Sequence, residues 1–312
     1  MKERAMVPEP QFESYYGRQI IKTPTWKTPD VPLYLFLGGM AGASSLLAEG
    51  AALSGRPALE RVTRAAAAAG ATAGTVALVH DLGRPERFLN MLRVFKVTSP
   101  LSVGSFILAP FSGLATAAFL SNVTGRLPRA GRLAGLGAAA LGPGLATYTA
   151  ALISNTAVPA WHEGHREMPF IFAGSGATAA GGLAMLATPK DQNGPARRMA
   201  VAGAAMELTG AELLKRRLGM VAEPYQQGRP GRLMTAARRM TAGAALVSLA
   251  GGRSRAVSVA AGATYVAASV LTRFGIFEAG IASAQDPKYT VVPQRERLAR
   301  ADGSPKQHQP SA

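Results

Sequence analysis

The 312-residue chain has no cysteine. That excludes disulfides, cysteine-ligated iron–sulfur clusters or zinc, and a cysteine nucleophile. Acidic residues are scarce, with 18 Asp and Glu against 34 Lys and Arg, a formal charge of +16. Charged residues of either sign make up 17%, below the roughly 25% of ordinary soluble domains. Aromatic residues are few, at 6%. A nucleic-acid binder would line its cations along one exposed face or interleave them with aromatics. Here they cluster between long stretches that have none, so nucleic acid is excluded as a partner and the charge reads as loop charge on a membrane protein. A 48% hydrophobic content is too high for a disordered chain, and the 35 glycines follow no collagen-like repeat.

What is present is a series of uncharged runs. Residues 97–125, 133–161, 168–189 and 256–272 contain no Asp, Glu, Lys or Arg. About 20 apolar residues cross the hydrocarbon core as a helix. Residues 31–48 form a fifth such run, and 65–79 a shorter one that Arg61 and Arg64 can extend by snorkelling. Two further segments are interrupted or brief: 199–214, which contains Glu207 and Glu212, and 240–252. The reading is an all-α integral membrane protein, a polytopic bundle of about eight transmembrane helices at 31–53, 62–80, 100–121, 133–154, 168–187, 198–215, 236–252 and 256–280. It divides the chain into a soluble N-terminal arm (1–30), an eight-helix transmembrane domain (31–280) and a polar C-terminal tail (281–312). The arm lacks the apolar core of a cleavable leader. Abundant Gly and Ala in the spans, as in the run from Gly38 to Ser45, predict close helix packing.

Eight spans place both termini on one side, with 23 of the 34 Lys and Arg there, including Arg273 counted with the tail. The positive-inside rule then puts both termini in the cytoplasm of a cell with an inner (plasma) membrane.

Chemistry-bearing residues gather at that cytoplasmic boundary. The second span ends in His80-Asp81-Leu82-Gly83-Arg84-Pro85, the fourth runs into Trp161-His162-Glu163-Gly164-His165-Arg166-Glu167, and Tyr34 begins the first. Interfacial loop residues could look the same, and for Arg84 and Arg87 alone that is the simpler account. A carboxylate at the end of an apolar span needs a partner, however, and His80 or Arg84 could supply it. Imidazole beside carboxylate also suits proton relay. The His162-Glu163-Gly164-His165 spacing departs from the zinc-protease motif and no third ligand is evident, so no metal is assigned. The scarcity of histidine within spans argues against a haem. Glu49, Glu207 and Glu212 lie within spans, where an ionisable group is a functional candidate; a reach to the interface for Glu49, and a polar helix face for the other two, are the alternatives.

These stretches carry a resemblance. The segment Val31-Pro32-Leu33-Tyr34 through Gly42, His80 through Phe88, Thr98-Ser99-Pro100-Leu101-Ser102-Val103-Gly104-Ser105, Tyr148 through His162, and the arm with Tyr15-Tyr16-Gly17-Arg18 and Pro24-Thr25-Trp26-Lys27 resemble the NrfD / polysulfide reductase membrane-subunit family of molybdopterin oxidoreductase complexes. The match covers most of residues 12–187 and weakens beyond 190. It implies a quinone-interacting anchor of a respiratory complex of the formate dehydrogenase or polysulfide reductase type, without haem or iron–sulfur cluster of its own. Its implied partners are a ferredoxin-like 4Fe-4S subunit, a molybdopterin catalytic subunit and membrane lipid. The implied electron carrier is menaquinone or ubiquinone, in a pocket between the first four helices near the cytoplasmic face. The candidates there for quinone contact or proton transfer are Tyr34, Glu49, His80, Asp81, Arg84, Tyr148, Trp161 and His162, with Arg84 fixing Asp81 and Glu49 extending the proton route. Arg18, Trp26, Arg87, His165 and Arg166 are candidates for partner docking. A proton-coupled transporter using Glu49, Glu207 and Glu212, and a purely structural anchor, are the rival readings.

Overall fold

A computed structural model describes residues 19–250 and 254–301. The long helices are α1 (Asp30–Leu53), α2 (Pro57–Asp81), α3 (Pro100–Thr124), α4 (Pro128–Ser154), α6 (Met168–Ala187), α7 (Gly194–Leu218), α8 (Gly228–Leu249) and α9 (Arg255–Gln285). Between α4 and α6 lies the one-turn helix α5 (Pro159–Glu163), and α10 (Lys288–Ala301) follows α9. Among the described residues all regular structure is helical. Proline in the first turn starts α2, α3, α4, α6 and α7, where its missing N–H costs nothing and its fixed φ suits the helix. Ser99 caps α3 by accepting from the Ser102 N–H, and Gly125 ends it with φ 68°, a left-handed cap that glycine adopts without strain.

Six helices, α1, α2, α3, α4, α6 and α9, are long and apolar enough to cross a membrane. The protein is therefore a multi-pass membrane protein, and six of the eight expected spans have both the length and the apolar composition to cross. α7 and α8 have the length, about 1.5 Å per residue over 25 and 22 residues. They lack the composition: α7 carries Glu207, Glu212 and the run Lys215-Arg216-Arg217, and α8 carries Arg229, Arg232, Arg238 and Arg239. Other limits shift by a few residues. α2 starts at Pro57 rather than 62, α8 at Gly228 rather than 236, and α9 runs on to Gln285. The stretch taken as a polar tail contains α10, whose Lys288 Nζ donates to Glu223 Oε2 at 2.8 Å.

The long helices alternate in direction. Asp30, Asp81, Pro100, Ser154, Met168, Leu218, Gly228 and Gln285 lie at one end of the bundle, called here the proximal end. α1 is the central helix and packs on α2, α4, α6 and α9; α6 packs on α7 and α9, and α8 on α9. Glycine meets glycine at the crossings. A Cβ on Gly42 would lie 2.4 Å from the Gly142 carbonyl oxygen of α4, and one on Gly176 of α6 would lie 2.7 Å from that of Gly39. The backbones therefore approach closely enough that dispersion between them holds the bundle in lipid, where no hydrophobic force acts between helices. Substituting Gly42 by Ala is expected to lower stability by about 1–3 kcal/mol, the usual range for overpacking, measured as a reduced thermal midpoint of the detergent-purified protein.

Candidate functional site

The proximal end carries most of the candidates named from sequence. Tyr34, one turn into α1, is 2% exposed. Its ring stands edge-on to that of Tyr148 of α4, with centroids 6.4 Å apart. Tyr148 lies against Gly104 of α3, where a Cβ would sit 2.0 Å from its Cε2; only glycine lets the ring lie there. The Tyr148 hydroxyl is buried and has no hydrogen-bond partner among the described residues. An orphaned hydroxyl of this kind is costly unless something else occupies its bonding position.

Above this pair, His80 Nδ1 donates to Asp30 Oδ2 at 2.8 Å, and Asp81 Oδ1 accepts the Lys27 backbone N–H at 2.9 Å. The two residues that sequence reading treated as each other's partners thus have separate ones, supplied by the arm and by the first residue of α1. Arg84 makes no hydrogen bond or ion pair with Asp81 among the described residues; the Lys27 amide takes the position that Arg84 was expected to fill. His80 and Arg84 are exposed.

Trp161 of α5 is fully buried. Its Nε1–H donates to the Ile276 carbonyl at 2.8 Å. Its ring stacks on Trp26 with centroids 5.6 Å apart, and lies 5.6 Å from Phe277 on the other side. Tyr225 Oη donates to the Ala160 carbonyl at 2.8 Å, and the Ala160 N–H donates to Ser283 Oγ. A Cβ on Gly280 would sit 1.8 Å from Trp161 Cε2, so α9 gives up a side chain to seat the indole. Trp161 is thus a keystone that ties the arm, α5 and α9 together.

His162 and His165 are exposed, with Nδ1 of each donating to a backbone carbonyl, of Ser154 and His162 respectively, at 3.0 Å. Arg166 is exposed beside them, and Trp26 is half-buried. Arg18 lies outside the described residues, as does the side chain of Arg87. Arg217 Nη2 bonds the Glu163 carbonyl and pairs with Glu167 at 2.6 Å. The hydrogen bond from Arg217 holds the Glu167 carboxyl below the usual carboxylate range, and that from Lys288 does the same for Glu223.

Glu49 does not join this group. It lies 15 residues along α1 from Tyr34, about 22 Å, at the distal end. There it is 6% exposed and pairs with Arg64 Nη2 at 2.8 Å, with Arg132 Nε 3.8 Å away. Arg64 Nε also bonds Glu60 Oε1 at 2.8 Å. Gly135 backs the cluster, where a Cβ would fall 2.3 Å from both Arg64 Nη1 and Glu49 Oε1. Glu207 is also buried, accepting from Thr272 Oγ1 at 2.6 Å and Thr178 Oγ1 at 3.5 Å. Glu212 lies nearer the proximal end and pairs with Arg216 at 3.0 Å.

Sequence reading missed four features here. Arg273, counted with the tail, is fully buried in α9, donating to the Phe172 carbonyl at 2.7 Å with its guanidinium 3.8 Å from the Phe172 ring centroid. The only signal was its position one residue beyond an uncharged run. Tyr225 and the cluster around Glu49 joined residues too far apart in sequence to be paired by eye. A cavity of about 270 Å³ lies between α6, α7, α8, α9 and the 3-10 turn Gly219–Tyr225, not among the first four helices.

Against known proteins, the family described as polysulphide reductase, NrfD, matches residues 21–200, more than half of the chain. No curated protein matches it.

Two outcomes follow from this geometry. Removing one partner of a buried ion pair strands the other, so Glu49→Ala should cost about 3–5 kcal/mol in thermal unfolding, and adding Arg64→Ala should recover part of it. The lowered Glu167 carboxyl contributes stability above its unfolded-state pKa and loses it as pH falls from there through the folded value. A pH series of melting midpoints should show this acid-side loss, and Glu167→Gln should flatten it.

Proposed function

We propose, from the premise that the chain belongs to the polysulphide reductase NrfD family, that it is the quinone-interacting membrane subunit of a respiratory molybdopterin oxidoreductase complex. The supporting observation is the Tyr148 hydroxyl: buried, without a partner, and facing Tyr34 among the first four helices near the proximal end. An unsatisfied phenol inside an apolar bundle fits the carbonyl oxygen of a quinone ring, which accepts hydrogen bonds and has no other means of orientation among aliphatic side chains.

A quinone bound there would exchange two electrons and two protons with its surroundings. With no cysteine, this chain's share of that chemistry is binding and proton handling. Tyr148 orients the ring by donating from its hydroxyl. Tyr34 limits its position and helps keep water out. The Asp30–His80 pair and Asp81 supply carboxylate and imidazole at the rim, groups suited to passing protons between solvent and a buried oxygen. The exposed His162, His165 and Arg166, with Trp26, form the face on which a ferredoxin-like 4Fe-4S subunit docks and delivers or withdraws electrons, with the molybdopterin subunit beyond it. Loop charge supports a cytoplasmic location for this end. α7 and α8 complete an eight-helix crossing, their charges turned toward the interface and the bundle. Glu49, pinned by Arg64 at the distal end, has no part in this proton route.

The test uses the assembled complex. Tyr148→Phe removes one hydroxyl and no ring volume; it should lower quinone-linked turnover at least tenfold, the scale of one lost hydrogen bond to a reacting group, while dye-linked turnover of the catalytic partner stays unchanged. Asp81→Asn keeps an acceptor for the Lys27 amide and loses the charge, so it should act in the same direction. Quinone turnover unchanged in both variants would remove this end of α1–α4 as the quinone site.

A further inference from the structure

The cavity of about 270 Å³ on the other half of the bundle is not used by the quinone reading. Its inner wall is apolar, with Ile171 of α6, Leu208 of α7, Met234 of α8 and Ile276 of α9. Its rim holds Lys215 of α7 and Arg238 of α8, with Glu212 as the lining acid. Lys215 and Arg238 are exposed on helices that are long enough to cross the membrane but too charged to pass as apolar spans.

The charges at this rim are poorly matched within the protein. Glu212 is already bonded by Arg216 at 3.0 Å and meets Arg238 only at 3.8 Å. Lys215 and, one residue along α8, Arg239 have no ion pair among the described residues. Arg238 and Arg239 lie ten and eleven residues beyond the start of α8 at Gly228, about 15 Å along its axis. Cations at that depth need an anionic partner or a reach to the headgroups. A cavity with an apolar floor and an excess of positive charge at its mouth has the two-part character of a phospholipid: acyl chain inside, phosphodiester at the rim. Basic pockets between membrane helices take anionic headgroups for this reason.

We propose that this cavity is a binding site for an anionic phospholipid, with the chain against Ile171, Leu208, Met234 and Ile276 and the phosphodiester between Lys215 and Arg238. The site gives Lys215 of α7 and Arg238 of α8 an anionic partner. An anionic headgroup between Lys215 and Arg238 would complete the neutralisation of the rim. A neutral lipid would occupy the same apolar wall and leave Lys215 without an ion pair and Arg238 with only the 3.8 Å contact to Glu212.

The test reads lipid binding directly and needs no catalytic partner. Delipidated full-length protein is mixed with phosphatidylglycerol or phosphatidylcholine in mixed micelles. Bound lipid is counted by native mass spectrometry, and the melting midpoint is followed against lipid concentration. Wild type should retain phosphatidylglycerol in preference to phosphatidylcholine and melt higher with it. Lys215→Ala with Arg238→Ala should weaken phosphatidylglycerol binding roughly 10- to 30-fold, as expected for two surface cations at about a tenfold or less each, and leave phosphatidylcholine binding unchanged. Lys215→Arg should bind like wild type. Ala211→Phe, which fills the cavity from α7, should weaken both lipids, and its melting midpoint without lipid reports whether it is folded. Equal retention of the two lipids by wild type, or an unaltered preference in the double variant, overturns the proposal. So does displacement of phosphatidylglycerol by a short-chain quinone at concentrations that saturate the Tyr148 site.

Discussion

In hydrocarbon nothing drives one apolar helix onto another, so this bundle depends on how closely its backbones can approach. α1 meets that condition on two sides at once: Gly42 lies under Gly142 of α4, and Gly39 under Gly176 of α6. Contacts this short bring many atoms into dispersion range and leave no space for a lipid chain between the helices. Because α1 is fixed between α4 and α6, Tyr34 is fixed opposite Tyr148, and the aromatic pair inherits its geometry from glycines about one to two turns away. The same logic recurs where α9 omits a side chain at Gly280 to admit Trp161.

Three of the charged groups buried in this frame have a partner on a different helix. Glu49 of α1 meets Arg64 of α2, Glu207 of α7 meets Thr272 of α9, and Arg273 of α9 meets the Phe172 carbonyl of α6. Such cross-links are costly to break in a medium that cannot solvate them, so they define which helix faces which. Among the described residues the Tyr148 hydroxyl has no hydrogen-bond partner and Lys215 beside the α7–α8 cavity has no ion pair, and both lie where a small amphiphile could provide one.

Much of the architecture was legible without coordinates. Uncharged runs located α1, α3, α4, α6 and α9, because the length of an uncharged segment is set by the thickness of the bilayer rather than by its neighbours. Proline and glycine marked several of their ends. The rule was weaker on α7 and α8, whose runs are short or broken by charge; Glu207 of α7 is satisfied by Thr178 of α6 and Thr272 of α9, which the composition of a single segment does not show. The site was legible only as a set of residue types. His80 and Asp81 are adjacent in sequence, yet one turns to Asp30 and the other to the amide of Lys27, because successive residues on a helix point about 100° apart.

Sequence alone determined that this is a multi-pass helical membrane protein, that it has no cysteine with which to hold a cluster, and that Tyr34, His80, Asp81, Trp161 and His162 gather toward one end. Those properties depend on local composition measured against a slab of fixed thickness. Tertiary structure decided that Glu49 belongs to an ion-pair cluster at the distal end, that Trp161 is a keystone, that Arg273 is buried, and that a cavity opens among α6 to α9. Each of these depends on which helix faces which, and that is set by side-chain shape at crossings between segments far apart in the chain, where periodicity and charge carry no signal.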